Sequence, residues 1–379
     1  MINNRTPLFR SWLLRCLGGV LLLPVAAPSA GELPPDLGEN LAKGYISPAM
    51  QHFQQSADGL HATLETWCAA PDKAGAQAVH AGFAKLVSAW SGIEFLRFGP
   101  LVAANRYEKI SFWPDPRGIT VRQVQALLAT TNPVSDAKGL SMQSVAIQGL
   151  PALEYVLYRS DGLLADPAHA SDASACAYAT AIAGNLVNLG SELVNEWGAG
   201  GDYVQKFSKP SASNPLYRSR QEVAGESIKA LSTGLQFARD IKLLPVLSGS
   251  IKAVKPKRAS FWRSGLAIES MAAATEGMLQ FYKAGGYRYD GDEAWIDDSL
   301  QAELLRIRDN FKSMKISAAQ MMQNADHASD SWVQFASTEP GYRQLTLATL
   351  LIKNAKSLVD EDVAPAFGVR IGFNALDGD

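Results

Sequence analysis

The chain has 379 residues, 47% of them apolar, with 35 basic and 37 acidic side chains and a formal charge of −2. That length and apolar content supply a large buried core and exclude wholesale disorder. The near-balance of charge leaves no basic footprint for nucleic acid.

Residues 1–30 read as a leader. Arg5, Arg10 and Arg15 precede an apolar run from Leu17 to Val25, small residues follow, and the stretch holds no acid. This is the order of a secretory signal peptide, with cleavage expected near Ala30 and a periplasmic destination. The apolar run is too short to span a bilayer, and Arg15 before Cys16 does not suit lipid attachment. Without the three arginines the remaining chain sits near −5, and no later stretch is apolar enough to span a membrane. Beyond the leader only Cys68 and Cys176 remain. An oxidising compartment allows them to pair, two buried free thiols being the alternative. Neither stands at zinc-ligand spacing from another Cys or His.

The first element is an N-cap at Ser47 with Pro48 at the first helical position. Met50, Phe53, Ala57, Leu60, Leu64 and Trp67 then step by three and four, one apolar face of a long helix. Pro71-Asp72 breaks it. A second helix carries Val79, Phe83, Leu86, Trp90 and Ile93 inward and ends before Gly99-Pro100. Residues 99–118 are irregular, with two prolines in FWPDPRG, and Thr120 caps a short helix through Leu128. Pro151 would cost about 3 kcal/mol inside a helix but suits a first turn, so a helix starting near Leu150, or a kinked one, is expected. Residues 172–197 give another helix, with Tyr178, Ile182, Leu186, Leu189 and Leu193 in register, and GAGGD at 198–202 marks a hinge.

In the second half, Asn214-Pro215 is expected to open a helix to about Asp240. A further helix is expected through RASFWRSGLAIESMAAATEGMLQFY, ending at Gly285-Gly286, and others over 296–323 and 341–361. Strand alternation is nowhere convincing. The fold class is all-α, with long helices and modest loops that imply bundles. Trp90-Ser91-Gly92-Ile93 is echoed by Trp262-Arg263-Ser264-Gly265-Leu266. That echo suggests an internal duplication, with halves at 31–205 and 206–379.

The five histidines, His52, His61, His80, His169 and His327, form no H-x-x-x-H or H-E-x-x-H pair. No phosphate-cradling glycine loop and no G-x-S-x-G elbow occurs. The charged residues set among aromatics are the candidates: Glu94 and Arg97 near Trp90, Arg106 and Asp115 around Trp113, and Glu154 after Pro151. Glu154 has two readings. It is either an acid favoured by the dipole of a helix first turn, or part of a pocket where these carboxylates and guanidiniums converge.

Four segments, AWSGIEFLRFGP (89–100), NRYEKISFWPD (105–115), QGLPALEYVLY (148–158) and GVRIGFNALDGD (368–379), resemble the imelysin-like family, also filed as the M75 peptidases. The resemblance covers nearly all of the chain after the leader. It implies an all-α fold of two bundle-like halves, a site where they meet, and a link to bacterial iron uptake. The family signature is G-x-H-x-x-E. Laid on this chain it falls on Gly149, Pro151 and Glu154, so proline stands where the family has its histidine.

The expected function is therefore non-enzymatic: a periplasmic protein tied to iron uptake, binding a ligand or protein partner at the junction of its halves. Glu154, Arg106, Asp115, Glu94 and Arg97 would line that site, with Arg97 and Arg106 as partners of Glu154. No cofactor follows from the residues; a metal implied by the family would be iron or another divalent ion. The alternative is an M75-type metallopeptidase with Glu94, Asp115 and Glu154 around a hard cation. A third reading is a scaffold whose buried charges fix helix packing.

Overall fold

In the computed structural model, which describes residues 31–130, 136–165, 169, 172–322 and 328–372, the chain is built from helices. The leader and the last residues of the tail motif, 373–379, lie outside the described residues. The main helices are α1 Ser47–Ala69, α2 Lys73–Ile93, α3 Ile119–Leu128, α4 Leu150–Tyr158, α5 Ala173–Trp197, α6 Arg220–Gln236, α7 Ala267–Gly285, α8 Trp295–Met322, α9 Ala328–Ser337 and α10 Glu339–Ser357. Shorter helical turns join them. The all-α class is as the sequence predicted.

The stripe from Met50 to Trp67 is the buried face of α1. It packs on α2 and α5. Trp67 Nε1 donates to the Asp72 carbonyl at 3.0 Å, and the Asp72 side chain accepts from Gly75 N–H, which starts α2. Asp172 starts α5 in the same way, accepting from Ser174 and Ala175 N–H. Cys68 at the end of α1 thereby meets Cys176 in the first turn of α5. Their Cα atoms are 5.8 Å apart and the two are joined in a disulfide that closes 108 residues of sequence.

Two expected caps are placed differently. Ser47 caps nothing, because helical backbone already runs through Ala42–Ile46 ahead of it; its hydroxyl donates to the Trp197 carbonyl instead. Thr120 lies inside α3. Asp115 starts that helix, accepting from Ile119 and Thr120 N–H at 2.9 and 2.8 Å.

The second half departs further from the sequence reading. Asn214 does not open a helix. Its side chain accepts from Leu216 and Tyr217 N–H and donates to the Lys206 and Lys209 carbonyls, which holds a loop. The helix begins only after Ser219, which accepts from Glu222 N–H. The helix expected from 258 begins at Ala267, because Phe261 (φ 56°) and Gly265 (φ 72°) turn the backbone left-handed ahead of it. Trp90 is therefore helical while Trp262 is in a turn, and the echo between their segments lends no support to a duplication.

Helix α7 packs on α2 and on α8, and α8 packs on α9 and α10, so one continuous apolar core runs through both halves of the chain. The N-terminal end of the described chain also crosses over: Gly31–Glu32 pairs antiparallel with Arg288–Tyr289. No helix among the described residues is long and apolar enough to cross a membrane. This arrangement brings three segments distant in sequence to one place: residues 111–121, the start of α4, and the turn at 257–264.

Candidate functional site

Helix α4 starts where the chain passes over the 109–110 backbone. A Cβ at Gly149 would stand 2.2 Å from the Ile110 carbonyl oxygen, so only glycine permits the approach. Pro151 occupies the first turn, and Ala152 to Leu157 are all buried. Glu154 lies beyond that first turn and is only 4% exposed. It is neither a solvated side chain nor a first-turn acid.

The partner of Glu154 comes from the other half of the chain. Ser264 donates its N–H at 2.9 Å and its hydroxyl at 2.8 Å, both to Oε1. The Ser264 hydroxyl is also 3.1 Å from the Phe261 carbonyl, so its single proton is shared between two acceptors. Burial pushes the Glu154 carboxyl above the usual carboxylate range. The two Ser264 bonds and the nearby Arg263 charge pull the other way. Tyr158, one turn along α4, is driven well above its ordinary value by burial and then by the Glu154 charge.

This carboxyl ties down the turn after Arg258. Phe261 is a bulky buried residue in the left-handed region, a conformation that costs about 1–3 kcal/mol and persists only where its surroundings impose it. Leu266 N–H closes the turn on the Phe261 carbonyl at 3.0 Å. Trp262 and Arg263 project from it, half-buried. The Arg263 guanidinium lies over the Trp262 ring, 4.5 Å from its centre, and over Tyr155 at 5.2 Å. Tyr155 is held in turn by Gln125, whose amide donates to its hydroxyl at 2.8 Å. The Lys257 ammonium is 5.3 Å from the centre of Trp262.

Two cavities flank this turn. One, of about 640 Å³, runs between Trp113, Asp115, Pro151, Glu154 and Pro245. The other, of about 770 Å³, reaches His80 and Tyr158. Tyr155, Lys257, Trp262 and Arg263 line both. His80 Nδ1 and the Tyr158 hydroxyl are hydrogen-bonded at 2.7 Å, and burial lowers the imidazole's proton affinity.

The five residues named from the sequence do not converge. Glu154 and Asp115 border the smaller cavity, but both Asp115 oxygens serve the start of α3. Glu94 is buried in an ion pair with Lys242 and reaches neither cavity. Arg97 lies past the end of α2, over the rings of Tyr107 (4.3 Å) and Phe237 (4.0 Å), and donates to the Tyr107 hydroxyl. Arg106 donates to Glu192 at 2.6 Å and to the Pro100 carbonyl at 2.9 Å. Arg97 and Arg106 are thus not partners of Glu154; packing had already committed each guanidinium elsewhere.

The same geometry tests a metal at the family motif. Pro151 offers no side-chain ligand, and Glu154 Oε1 is taken by two donors from Ser264. Glu94, Asp115 and Glu154 are each engaged separately. Among the described residues no three His, Cys, Asp or Glu side chains gather as a metal site. The residues present do not fit a metal here, and we derive no metal-dependent step.

Sequence reasoning missed Ser264, Lys257, Arg258, Trp262 and Arg263. Two signals were available: the Trp262-Arg263-Ser264-Gly265 echo and the basic cluster Lys255, Lys257, Arg258 around Pro256. Reading the segment from Arg258 as helix put Trp262, Arg263 and Ser264 in a helix and concealed the turn.

A family model described as imelysin, peptidase M75, matches residues 46–346. The chain belongs to the imelysin family. Among solved structures it is similar to an imelysin-like protein from Psychrobacter arcticum 273-4, at 18% identity and a TM-score of 0.67, covering 91% of this chain and 99% of that one. It is also similar to a protein described as an iron-regulated protein A precursor from Parabacteroides distasonis ATCC 8503. There the identity is 12% and the TM-score 0.63, over 89% and 98% of the two chains. At these identities the likeness concerns the imelysin fold. No curated protein matches the chain.

Proposed function

We propose that this imelysin-family chain is exported to the periplasm and serves iron uptake by binding a ligand in the cleft around Trp262 and Arg263. The observation that carries the reading is the Glu154–Ser264 anchor. A buried carboxyl from one half of the chain holds a strained turn from the other, and that turn is the wall common to two cavities. Strain of this kind collects at ligand clamps, where the surroundings over-determine it. The leader-like residues 1–30 and the disulfide favour an exported protein. The iron association is drawn from the Parabacteroides relative, an iron-regulated protein. Glu154 here is a positioning residue that acts through the turn.

The test is a strain lacking the gene, grown with and without an iron chelator. Slow growth under chelation is expected, restored by the wild-type gene but not by Trp262→Ala produced at equal level in the periplasm. Full restoration by Trp262→Ala would detach the cleft from the function. A deletion strain that grows normally under chelation would remove iron uptake from the reading.

A further inference from the structure

We propose that the cleft recognises an organic anion, a carboxylate carried on a flat apolar body, with Arg263 as the group that grips the carboxylate. The proposal rests on reading the cleft as the ligand site, and adds the chemical class.

Charge is the first argument. Lys257, Arg258 and Arg263 line the smaller cavity, and none of the three forms an ion pair among the described residues. Two acids face them. Asp115 spends both oxygens on backbone N–H groups. Glu154 is buried, receives two hydrogen bonds from Ser264, and sits on the inner side of the turn. In the larger cavity Asp161 is paired with Arg159 at 3.0 Å. The cations are therefore left to an incoming group, and that group is an anion.

Geometry narrows the class. The Arg263 guanidinium carbon lies over the rings of Trp262 and Tyr155, and among the described residues its side-chain N–H donors have no hydrogen-bond partner, which leaves them for a ligand. That fork matches a carboxylate through two parallel hydrogen bonds, whereas an ammonium in its place would offer only a point charge. The group is also pre-set: Tyr155 is held by Gln125, and the turn by Glu154. Little side-chain freedom is left to lose on binding.

The walls argue against a bare inorganic ion. Trp113, Pro151, Pro245 and Trp262 present flat apolar surfaces around the charged group. A volume of about 640 Å³ is the size of a site for one small organic molecule, where an apolar lining supplies affinity and a few polar groups fix orientation.

The experiment is calorimetric titration of the purified protein with naphthoate, with its neutral amide naphthamide, and with inorganic phosphate. It is repeated with Arg263→Lys, which keeps the charge but loses the fork, and with Arg263→Gln. Thermal melts of both variants confirm folding. Naphthoate is expected to bind one to one, with naphthamide and phosphate each weaker by about tenfold or more, the worth of a charge-assisted hydrogen bond. Arg263→Lys should weaken naphthoate by a similar factor and Arg263→Gln by more, with naphthamide unchanged in both. Equal binding of naphthamide would overturn the anion class while leaving the cleft a ligand site. Phosphate as tight as naphthoate would overturn the apolar body. Naphthoate affinity untouched in folded Arg263→Gln, or no naphthoate binding at all, would overturn the role given to Arg263; growth under chelation judges the functional reading separately.

Discussion

Ser264 meets Glu154 across 110 residues of sequence, giving its N–H and its hydroxyl to the same carboxylate oxygen at 2.9 and 2.8 Å. Removing the hydroxyl leaves a buried acid short of a donor and frees the Phe261 turn. Ser264→Ala is expected to lower stability by about 1–3 kcal/mol. Urea unfolding followed by circular dichroism measures it. A loss within about 0.5 kcal/mol, the range of an indifferent surface change, would show that the contact holds nothing.

Glu154 should also leave a mark on the pH dependence of stability. Its carboxyl is raised above the usual carboxylate range by burial, against the Ser264 bonds and Arg263. The folded state then holds a proton that the unfolded state has released. Stability from this group is full below the unfolded value and is lost as pH rises through the folded one. Glu154→Gln, which cannot titrate, should flatten that fall relative to wild type. Glu226 is raised in the same direction by burial, so the difference between the two proteins carries the result. Parallel wild-type and Glu154→Gln curves from pH 4 upward would refute the shift.

The Glu94–Lys242 pair joins the two halves of the chain, with both side chains under 9% exposed. Breaking a buried pair strands a charge, whereas replacing both members with apolar groups spares that penalty. Glu94→Leu alone is expected to cost about 3–5 kcal/mol, and Glu94→Leu with Lys242→Met much less. Denaturant melts of the two singles and the double close the cycle. Additive losses would mean that the charges do not act as a pair.

The Cys68–Cys176 bridge closes 108 residues. Chain-entropy reasoning gives such a loop about 4–5 kcal/mol of stabilisation. The Cys68→Ala, Cys176→Ala double variant is expected to unfold at lower urea by up to that amount. Peptide mapping without reductant should recover the linked pair from the wild type. Two alkylatable thiols in the native protein would remove the prediction at its root.

How much of this was legible beforehand depended on the reach of each interaction. The first helices were open to reading because their signals are local. The stripe from Met50 to Trp67, the break at Pro71-Asp72 and the first-turn Pro151 all act within a turn or two of themselves. The motif glycine and glutamate at 149 and 154, with proline between, could also be read directly. Errors began where one side chain had two local uses. Asn214 held a loop where a helix start was expected, and the cap of α3 came from Asp115 four residues ahead.

The candidate site lay beyond sequence reading for a different reason. A carboxyl and a guanidinium can be named as reactive from composition, but their partners are chosen by packing. Arg97 and Arg106 are near Glu154 in motif order and far from it in contacts, committed to Tyr107 and to Glu192. The true partner is on a turn that apolar periodicity disguised as helix, and its left-handed Phe261 is held by contacts from outside the segment. The sequence by itself determined the helical class, the family and the loss of the motif histidine, since helix periodicity and motif spacing need no partner. Which charges are buried in pairs, which cap helices, and which form no ion pair beside Trp262 among the described residues was decided only by the tertiary structure, because a buried charge must find its counterpart wherever the folded core places one.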